Sequence, residues 1–312
     1  MVTGETLSKN ESLAEQISLH FYKRMPSVHL INSFGGAQVY RLNFKGEIYD
    51  RILKLIKADP LNRSMADIVL REQTILQSLQ VHGFEVPEVE FTQADGQFDG
   101  WVFTLMPSTQ SRPLDDIYAD NPDLARFVFA RQGQYIARLS RTLASSILGT
   151  LSNEEALKRE NKQWEWAFRE LQAFRPTTAQ SLGTEMMQAK ILLNQPVSRL
   201  VNRDGPQILT DGISTFCAID WDAAGPGHPL RDLGIVIAQH FVHRKKELQK
   251  APWRDWLMSG FLQGKEMTKE DKRQLSLLVM YQLVVDGAFH VQKGNLPLAE
   301  RALTQAMIEP QL

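Results

Sequence analysis

The sequence predicts an α+β chain of two lobes, a small β-sheet with one packed helix followed by a larger, mainly helical lobe. Three observations predict it. Residues 31–56 and 86–106 carry short apolar runs separated by turn signals, the pattern of strands. From about residue 120 onward apolar residues recur at three- and four-residue spacing, the pattern of helices with one packed face. Between these regions Pro107, Ser108 and Pro113 break regular structure, so the first lobe is drawn as 1–106 and the second as 107–312.

The elements follow in order. Leu13, Ile17 and Phe21 predict a helix over 11–24. Gly35-Gly36 and Lys45-Gly46 mark turns between the strands of 31–56, and a helix near 64–80 comes next. Ala94-Asp95-Gly96 reads as a turn between strands at Val89–Phe91 and Trp101–Leu105. The second lobe is expected to hold helices at 123–145, 153–174, 183–194, 230–248 and 270–292, interrupted by a β-like insertion at 199–220. A ligand cleft between two such lobes is the expected place for a site.

Composition narrows the function. A length of 312 residues suits about two domains, and 43% apolar with 23% charged residues is ordinary globular composition. A formal net charge of −1 offers no electrostatic footprint for nucleic acid or for a membrane surface. The single cysteine, Cys217, excludes an internal disulfide framework. No N-terminal apolar core or long uncharged apolar run suggests export or membrane insertion, so a soluble cytoplasmic protein is expected.

Two charged residues of the first lobe sit where apolar ones belong. In Arg51-Ile52-Leu53-Lys54-Leu55-Ile56, alternation places Lys54 on the face of Ile52 and Ile56. In the following helix Glu72 shares a stripe with Ile68, Ile75, Leu76 and Leu79. A carboxylate on a buried stripe needs a cation and an ammonium on a sheet face needs an anion, so the two are expected to pair. The plainer alternative is a lysine snorkelling from an edge strand and a glutamate at the rim of the stripe.

The third feature is an acidic, glycine-punctuated segment. Ala218-Ile219-Asp220-Trp221-Asp222 runs through Gly225, Gly227 and Pro229 to Asp232, directly after an apolar strand. Carboxylates placed there could hold a metal-bound phosphate. Upstream, Asn202, Arg203, Asp204 and Gln207 precede the apolar pair Ile208-Leu209, the layout of a catalytic loop followed by a metal-binding strand.

Taken together, Gly35-Gly36, Lys54, Glu72, the strand Trp101–Met106 and the segment Ile219–Leu233 resemble the aminoglycoside phosphotransferase and choline kinase-like family. The segment is similar to that family's I-D-W-[DE]-x-A-x-x-G-x-P-x-x-D-L. The resemblance implies a two-lobe protein-kinase-like fold, with ATP and Mg²⁺ as cofactors. It implies that Lys54 contacts nucleotide phosphates, that Glu72 orients it and that the backbone of Gly35 and Gly36 approaches the phosphates. It also implies that Leu105 and Met106 offer backbone groups to adenine, that Asp220 and Gln207 bind the metal, and that Asp232 holds the catalytic loop.

The loop departs from the family's H-G-D-x-x-x-x-N-[IL]-L. Counted back from Asp220 without gaps, Gln207 takes the asparagine position and Asn202 the aspartate position, and no base remains. With a two-residue deletion, Asn202-Arg203-Asp204 aligns with H-G-D and Asp204 is the base. The second alignment is preferred because Leu200-Val201 stays in place as the apolar run before the triplet. Ser140 is a further departure, standing where many relatives have histidine.

Other constellations have ordinary readings. His240 and His243 read as a polar helix face, and the charge runs Lys158–Lys162 and Arg244–Glu247 as solvated helix. Asp222, Asp286, His290 and Trp164 or Trp166 are candidates for the acceptor side, against the alternatives that Asp222 caps a loop and that Asp286 and His290 form a surface pair. The function expected is transfer of the γ-phosphate of ATP to a hydroxyl of a small molecule. The alternative is a catalytically inactive nucleotide- or ligand-binding protein on the same fold.

Overall fold

The structure, a computed structural model, describes residues 4–34, 37–47, 50–57, 64–98, 100–108, 112–113, 121–149, 153–195, 198–213, 216–221, 223–243 and 252–309. Gly35, Gly36 and Asp222 therefore lie outside the described residues, as does the charge run beginning at Arg244. The chain divides into two units: Met1–Ser111 with Phe216–Asp222, and Arg112–Thr215 with Ala223–Leu312.

The first unit is built on a five-stranded antiparallel sheet in the order β1-β2-β3-β5-β4, with strands β1 (Ser27–Phe34), β2 (Ala37–Asn43), β3 (Arg51–Lys57), β4 (Phe91–Phe98) and β5 (Trp101–Pro107). Alternation along β3 decides what each face packs against. Leu53 and Leu55 join Tyr40, Leu42, Phe103 and Leu105 in a core closed by Leu13, Ala14 and Ile17 of helix α1 (Gly4–Tyr22). On the opposite face Ile56 and Val102 meet Val69 of helix α2 (Ser64–Val81). The sheet thus carries a helix on each face, α1 as well as the expected α2.

One turn differs from expectation. Ala94-Asp95-Gly96 lies inside β4, where the register against β5 shifts between Gln93 and Phe98. The chain reverses after Phe98 instead, with Gly100 at φ 74°, a left-handed conformation that suits glycine.

The second unit is mainly helical: α3 (Pro122–Arg141), α4 (Ala144–Leu148), α5 (Asn153–Phe174), α6 (Pro176–Leu193), α7 (Arg231–His243), α8 (Trp253–Leu262), α9 (Lys269–Gln292) and α10 (Leu296–Ile308). Helix α9 is its spine, with residues such as Leu278, Val279, Met280 and Leu283 fully buried. Its start is fixed by a reciprocal cap: the Thr268 hydroxyl accepts from the Asp271 backbone N–H at 3.0 Å, and the Asp271 carboxylate accepts from the Thr268 N–H at 3.1 Å. Among the described residues α9 is the one helix long and apolar enough to cross a membrane, and 72% of that window is buried in the protein.

Helices α8 and α10 were not expected from periodicity. Helix α8 lies so close to α3 that a Cβ on Gly260 would fall 1.8 Å from the Ala130 carbonyl oxygen, and one on Gly133 would fall 2.0 Å from that of Leu257. Trp253 and Leu257 bury the core-facing stripe of α8, and the glycines set how closely it packs on α3.

The β-like insertion supplies short strands that frame a loop. Strand β7 (Arg199–Val201) pairs with β10 (Gly225–Gly227), and β8 (Gln207–Thr210) pairs with β6 (Arg112–Pro113). Strand β9 (Phe216–Ile219) belongs to the first unit, where the Ala218 N–H donates to the Glu85 carbonyl at 2.9 Å.

Candidate active site

In the first unit the side chain of Lys54 leaves the α2 face of β3, opposite Val39 and Thr104 of the flanking strands. Its ammonium lies 3.0 Å from Glu72 Oε2 and 3.7 Å from Asp220 Oδ1. The expected ion pair is therefore present, and Lys54 does not snorkel. Glu72 falls on the buried stripe of α2 with Val69, Ile75, Leu76 and Leu79, whereas the Ile68 side chain lies outside the described residues. The other Glu72 oxygen, Oε1, accepts from the Trp221 backbone N–H at 3.3 Å. One carboxylate thus ties helix α2 to the strand lysine and to the segment after β9.

That segment is anchored by Trp221, fully buried, whose indole N–H donates to the Ala218 carbonyl at 3.0 Å. The Asp220 side chain stays 37% exposed. Asp220 also adopts φ 68°. Four non-glycine residues among those described have positive φ: Lys23, Arg203, Asp220 and Gln263. Lys23 and Gln263 directly follow helices α1 and α8, where a left-handed residue is ordinary. Arg203 and Asp220 have no such excuse, and strained backbone of that kind gathers at functional positions.

The adenine-side expectation meets a geometric limit. Leu105 is fully buried and its carbonyl already accepts from the Glu90 N–H at 2.9 Å. Pro107 has no N–H, and the Ser108 N–H donates to Asp50 at 2.8 Å. Met106, half-buried opposite Ile52, stands between them.

In the second unit the loop after β7 is organised by Asp232 at the start of α7. Its carboxylate accepts from two consecutive backbone N–H groups, Asn202 at 2.8 Å through Oδ2 and Arg203 at 3.0 Å through Oδ1. Burial pushes the Asp232 carboxyl up to about 6, opposed by these two hydrogen bonds. Asn202 is fully buried, and its amide oxygen accepts from the Asp204 N–H at 3.3 Å. The amide is therefore turned onto its own loop. Asp204 remains partly exposed, its carbonyl held by the Gln239 amide at 2.9 Å, and Gln207 opens β8 in an exposed position. Ser140 donates to the Ala137 carbonyl of its own helix.

A buried polar chain runs behind this loop. Arg203 lies against Glu160 of α5 at 3.9 Å, and the same oxygen lies 3.4 Å from Arg231 of α7. Arg231 is 1% exposed, sits over the Tyr281 ring and donates to Gln282 at 3.0 Å. Gln282 in turn donates to Asp286 at 2.9 Å. Glu160 corrects the reading of Lys158–Lys162 as uniformly solvated. It lies on the helical stripe of Trp164, Ala167 and Leu171, all buried, and that spacing could have found it.

The acceptor-side candidates also differ from expectation. Trp164 is a core residue whose indole donates to the Met186 carbonyl at 2.9 Å. Asp286 and His290 are not a surface pair: His290 is buried, and Asp286 Oδ2 is sealed from solvent. His240 packs between the rings of Phe129 and Trp253, at 5.0 and 5.2 Å, rather than on a polar face.

Burial pushes the Asp286 carboxyl from 3.8 up to about 6. Between these values the unfolded chain has lost a proton that the folded protein keeps, so this group makes stability fall as pH rises through that window. Asp286→Asn keeps an acceptor for Gln282 without the charge. The variant should stay close to the parent in urea unfolding near pH 3 and exceed it at pH 8 by on the order of 3 kcal/mol. A difference that stays constant between the two pH values would show that Asp286 does not titrate there.

With the geometry in place, comparison identifies the kin. Among solved structures, the GDP and kanamycin complex of APH(2")-IIIa matches with TM-score 0.66 at 16% identity, covering 96% of this chain and 98% of that one. A thermostable mutant of aminoglycoside phosphotransferase APH(4)-Ia matches with TM-score 0.62 at 15% identity, covering 95% and 98%. Spectinomycin phosphotransferase APH(9)-Ia, solved with ADP and spectinomycin, matches with TM-score 0.62 at 13% identity, covering 96% and 98%. At such identities the likeness shows a shared fold. No curated protein matches the sequence. The family model described as the phosphotransferase enzyme family matches residues 31–266, well over half of the chain, and the protein belongs to that family.

Proposed function

We propose that the protein transfers the γ-phosphoryl group of ATP to a hydroxyl of a small molecule, as a soluble cytoplasmic enzyme. The observation that carries this reading is the Lys54 ammonium held between Glu72 at 3.0 Å and Asp220 at 3.7 Å. A lysine oriented by glutamate beside an exposed aspartate is the arrangement that nucleotide phosphates and their metal require.

The donor set suits Mg²⁺. Asp220 offers a hard, solvent-accessible oxygen beside Lys54, and Mg²⁺ commonly binds one or two protein oxygens together with phosphates and water; Gln207 is kept as the second ligand that the resemblance implies. Among the described residues no three His, Cys, Asp or Glu converge as a protein-only cage, which such a site does not need. When bound, Mg²⁺ supplies neutralisation of the phosphate charge. Lys54 contacts the phosphates, and Glu72 holds it extended while fixing the Trp221 backbone. Gly35 and Gly36 give close backbone approach, and Met106 rather than Leu105 offers a main-chain group to adenine.

Asp204 is assigned as the base. The acceptor hydroxyl oxygen forms the new bond to the γ-phosphorus, the bond to ADP breaks, and the hydroxyl proton passes to the Asp204 carboxylate. The inward-turned amide of Asn202 supports Asp204 over Asn202 for this role. Asp222 is retained as an acceptor-side carboxylate.

Thermal-shift titration tests the nucleotide site. At 100 times its Kd, ATP should stabilise the protein by about 2.7 kcal/mol, more strongly with Mg²⁺ than without, and Asp220→Ala should remove the metal dependence. ADP release should then be screened across aminoglycosides, macrolides, amino alcohols and sugars. Stabilisation by ATP with no acceptor anywhere in the panel would favour the inactive-binder reading, and no nucleotide effect at all would overturn both.

A further inference from the structure

We propose that Arg203 is a positioning residue of the phosphoryl-transfer loop: its buried guanidinium, clamped by Pro226, Gly225 and Glu160, locks the Asn202-Arg203-Asp204 turn and so fixes the aim of Asp204. The inference rests on the assignment of Asp204 as base and adds a residue that acts through it.

Arg203 adopts φ 75°, a conformation in which its Cβ crowds the following carbonyl. A side chain in that region persists where its surroundings over-determine it. Here they do so from two directions. The backbone N–H is tied to Asp232 Oδ1 at 3.0 Å, next to the Asn202 bond to Oδ2 at 2.8 Å. The guanidinium reaches the other way, donating from Nη2 to the Pro226 carbonyl at 2.6 Å and lying 3.9 Å from Glu160 Oε1 through Nη1.

Gly225 completes the clamp. A Cβ there would stand 3.0 Å from Arg203 Nε and 3.3 Å from Cζ, so the planar group lies flat against the glycine backbone of β10. Glu160 is itself held by Arg231, which fixes the far wall. The Arg203 side chain is 6% exposed, which leaves it no task at the surface. Glycine at this position would tolerate the left-handed turn but could not hold it. Arginine carries the strain and supplies the restraint, and the residue it restrains next is Asp204.

The test is a double-mutant cycle read by steady-state ADP release from ATP and Mg²⁺, with water as acceptor. Arg203→Gly should lower kcat by about tenfold or more with KM for ATP unchanged, because a small misplacement of a positioned group is costly. Arg203→Lys, which keeps the charge but not the planar fork, should not restore it. In the Asp204→Asn background the same Arg203→Gly change should cost less than about twofold, since its effect passes through the missing carboxylate. An equal loss in both backgrounds, or no loss in the parent, overturns the proposal. Parent-like turnover in Asp204→Asn alone overturns the base assignment instead.

A second variant and a second measurement guard against misfolding or undetectable turnover. Gly225→Ala leaves Arg203 in place but displaces its guanidinium, and should reproduce the loss of kcat. In both Arg203→Gly and Gly225→Ala, amide hydrogen exchange at residues 202–204 should accelerate by about tenfold while α9 keeps its protection. Unchanged exchange at those amides overturns the proposal without reference to activity.

Discussion

Asp204→Asn should lower turnover by a factor on the order of 10² or more while ATP binding, followed by thermal shift, stays at the parent level. Asparagine can still hold a hydroxyl by hydrogen bonding, but it takes no proton. Two main-chain contacts that help to shape the loop survive the substitution: the Asp204 N–H donates to Asn202 and its carbonyl accepts from Gln239. Activity is measured as ADP release with whichever acceptor the panel yields. Undiminished turnover would remove Asp204 from the mechanism. So would an Asn202→Ala variant that alone abolishes transfer with nucleotide binding intact.

The largest effect on stability is expected from Arg231→Ala. The substitution strips Glu160 of its nearer partner, leaving Arg203 at 3.9 Å, and also removes the donor to Gln282 and the cation over Tyr281. Breaking one side of a buried pair typically costs roughly 3–5 kcal/mol, because the remaining charge cannot be rehydrated. At about 2–4 °C per kcal/mol for a domain of this size, calorimetry should find a fall of roughly 6–20 °C. The loss should also resist added salt, since screening scarcely reaches a group that is 1% exposed. A shift below about 1 kcal/mol would mean that water or neighbouring groups replace the arginine.

The contrast between Glu72 and Glu160 shows what could be seen in advance. Both are carboxylates on otherwise buried helical stripes, and each meets a cation. Glu72 stood out because its neighbours on the stripe were plainly apolar and its partner lay on the preceding strand. Glu160 was hidden in a run of charges, and its partners lie far ahead in the chain, in segments whose folding brings them back. The acidic segment around Asp220 was legible because its residue types and spacing carry the resemblance. The conformation of the loop after β7 was not, because a left-handed arginine leaves no mark on residue type. Helix α8 was legible too, in the helical spacing of Trp253, Leu257, Gly260 and Phe261, although Gly260 looks, in one dimension, like a break.

The first unit is discontinuous, and that bears on how the protein is made. Strand β9 and Asp220 complete a unit whose other members were synthesised much earlier, up to Ser111. At 5–20 residues per second the ribosome needs on the order of 5–20 s to travel from there to Phe216. Through that interval the Glu85 carbonyl waits for the Ala218 amide, and Glu72 for the Trp221 amide. The lysine pocket can be assembled only after about half of the helical unit has been made, so an N-terminal fragment ending near Ser111 would carry Lys54 and Glu72 without the aspartate beside them. Completion of the pocket is thereby a late event in biosynthesis.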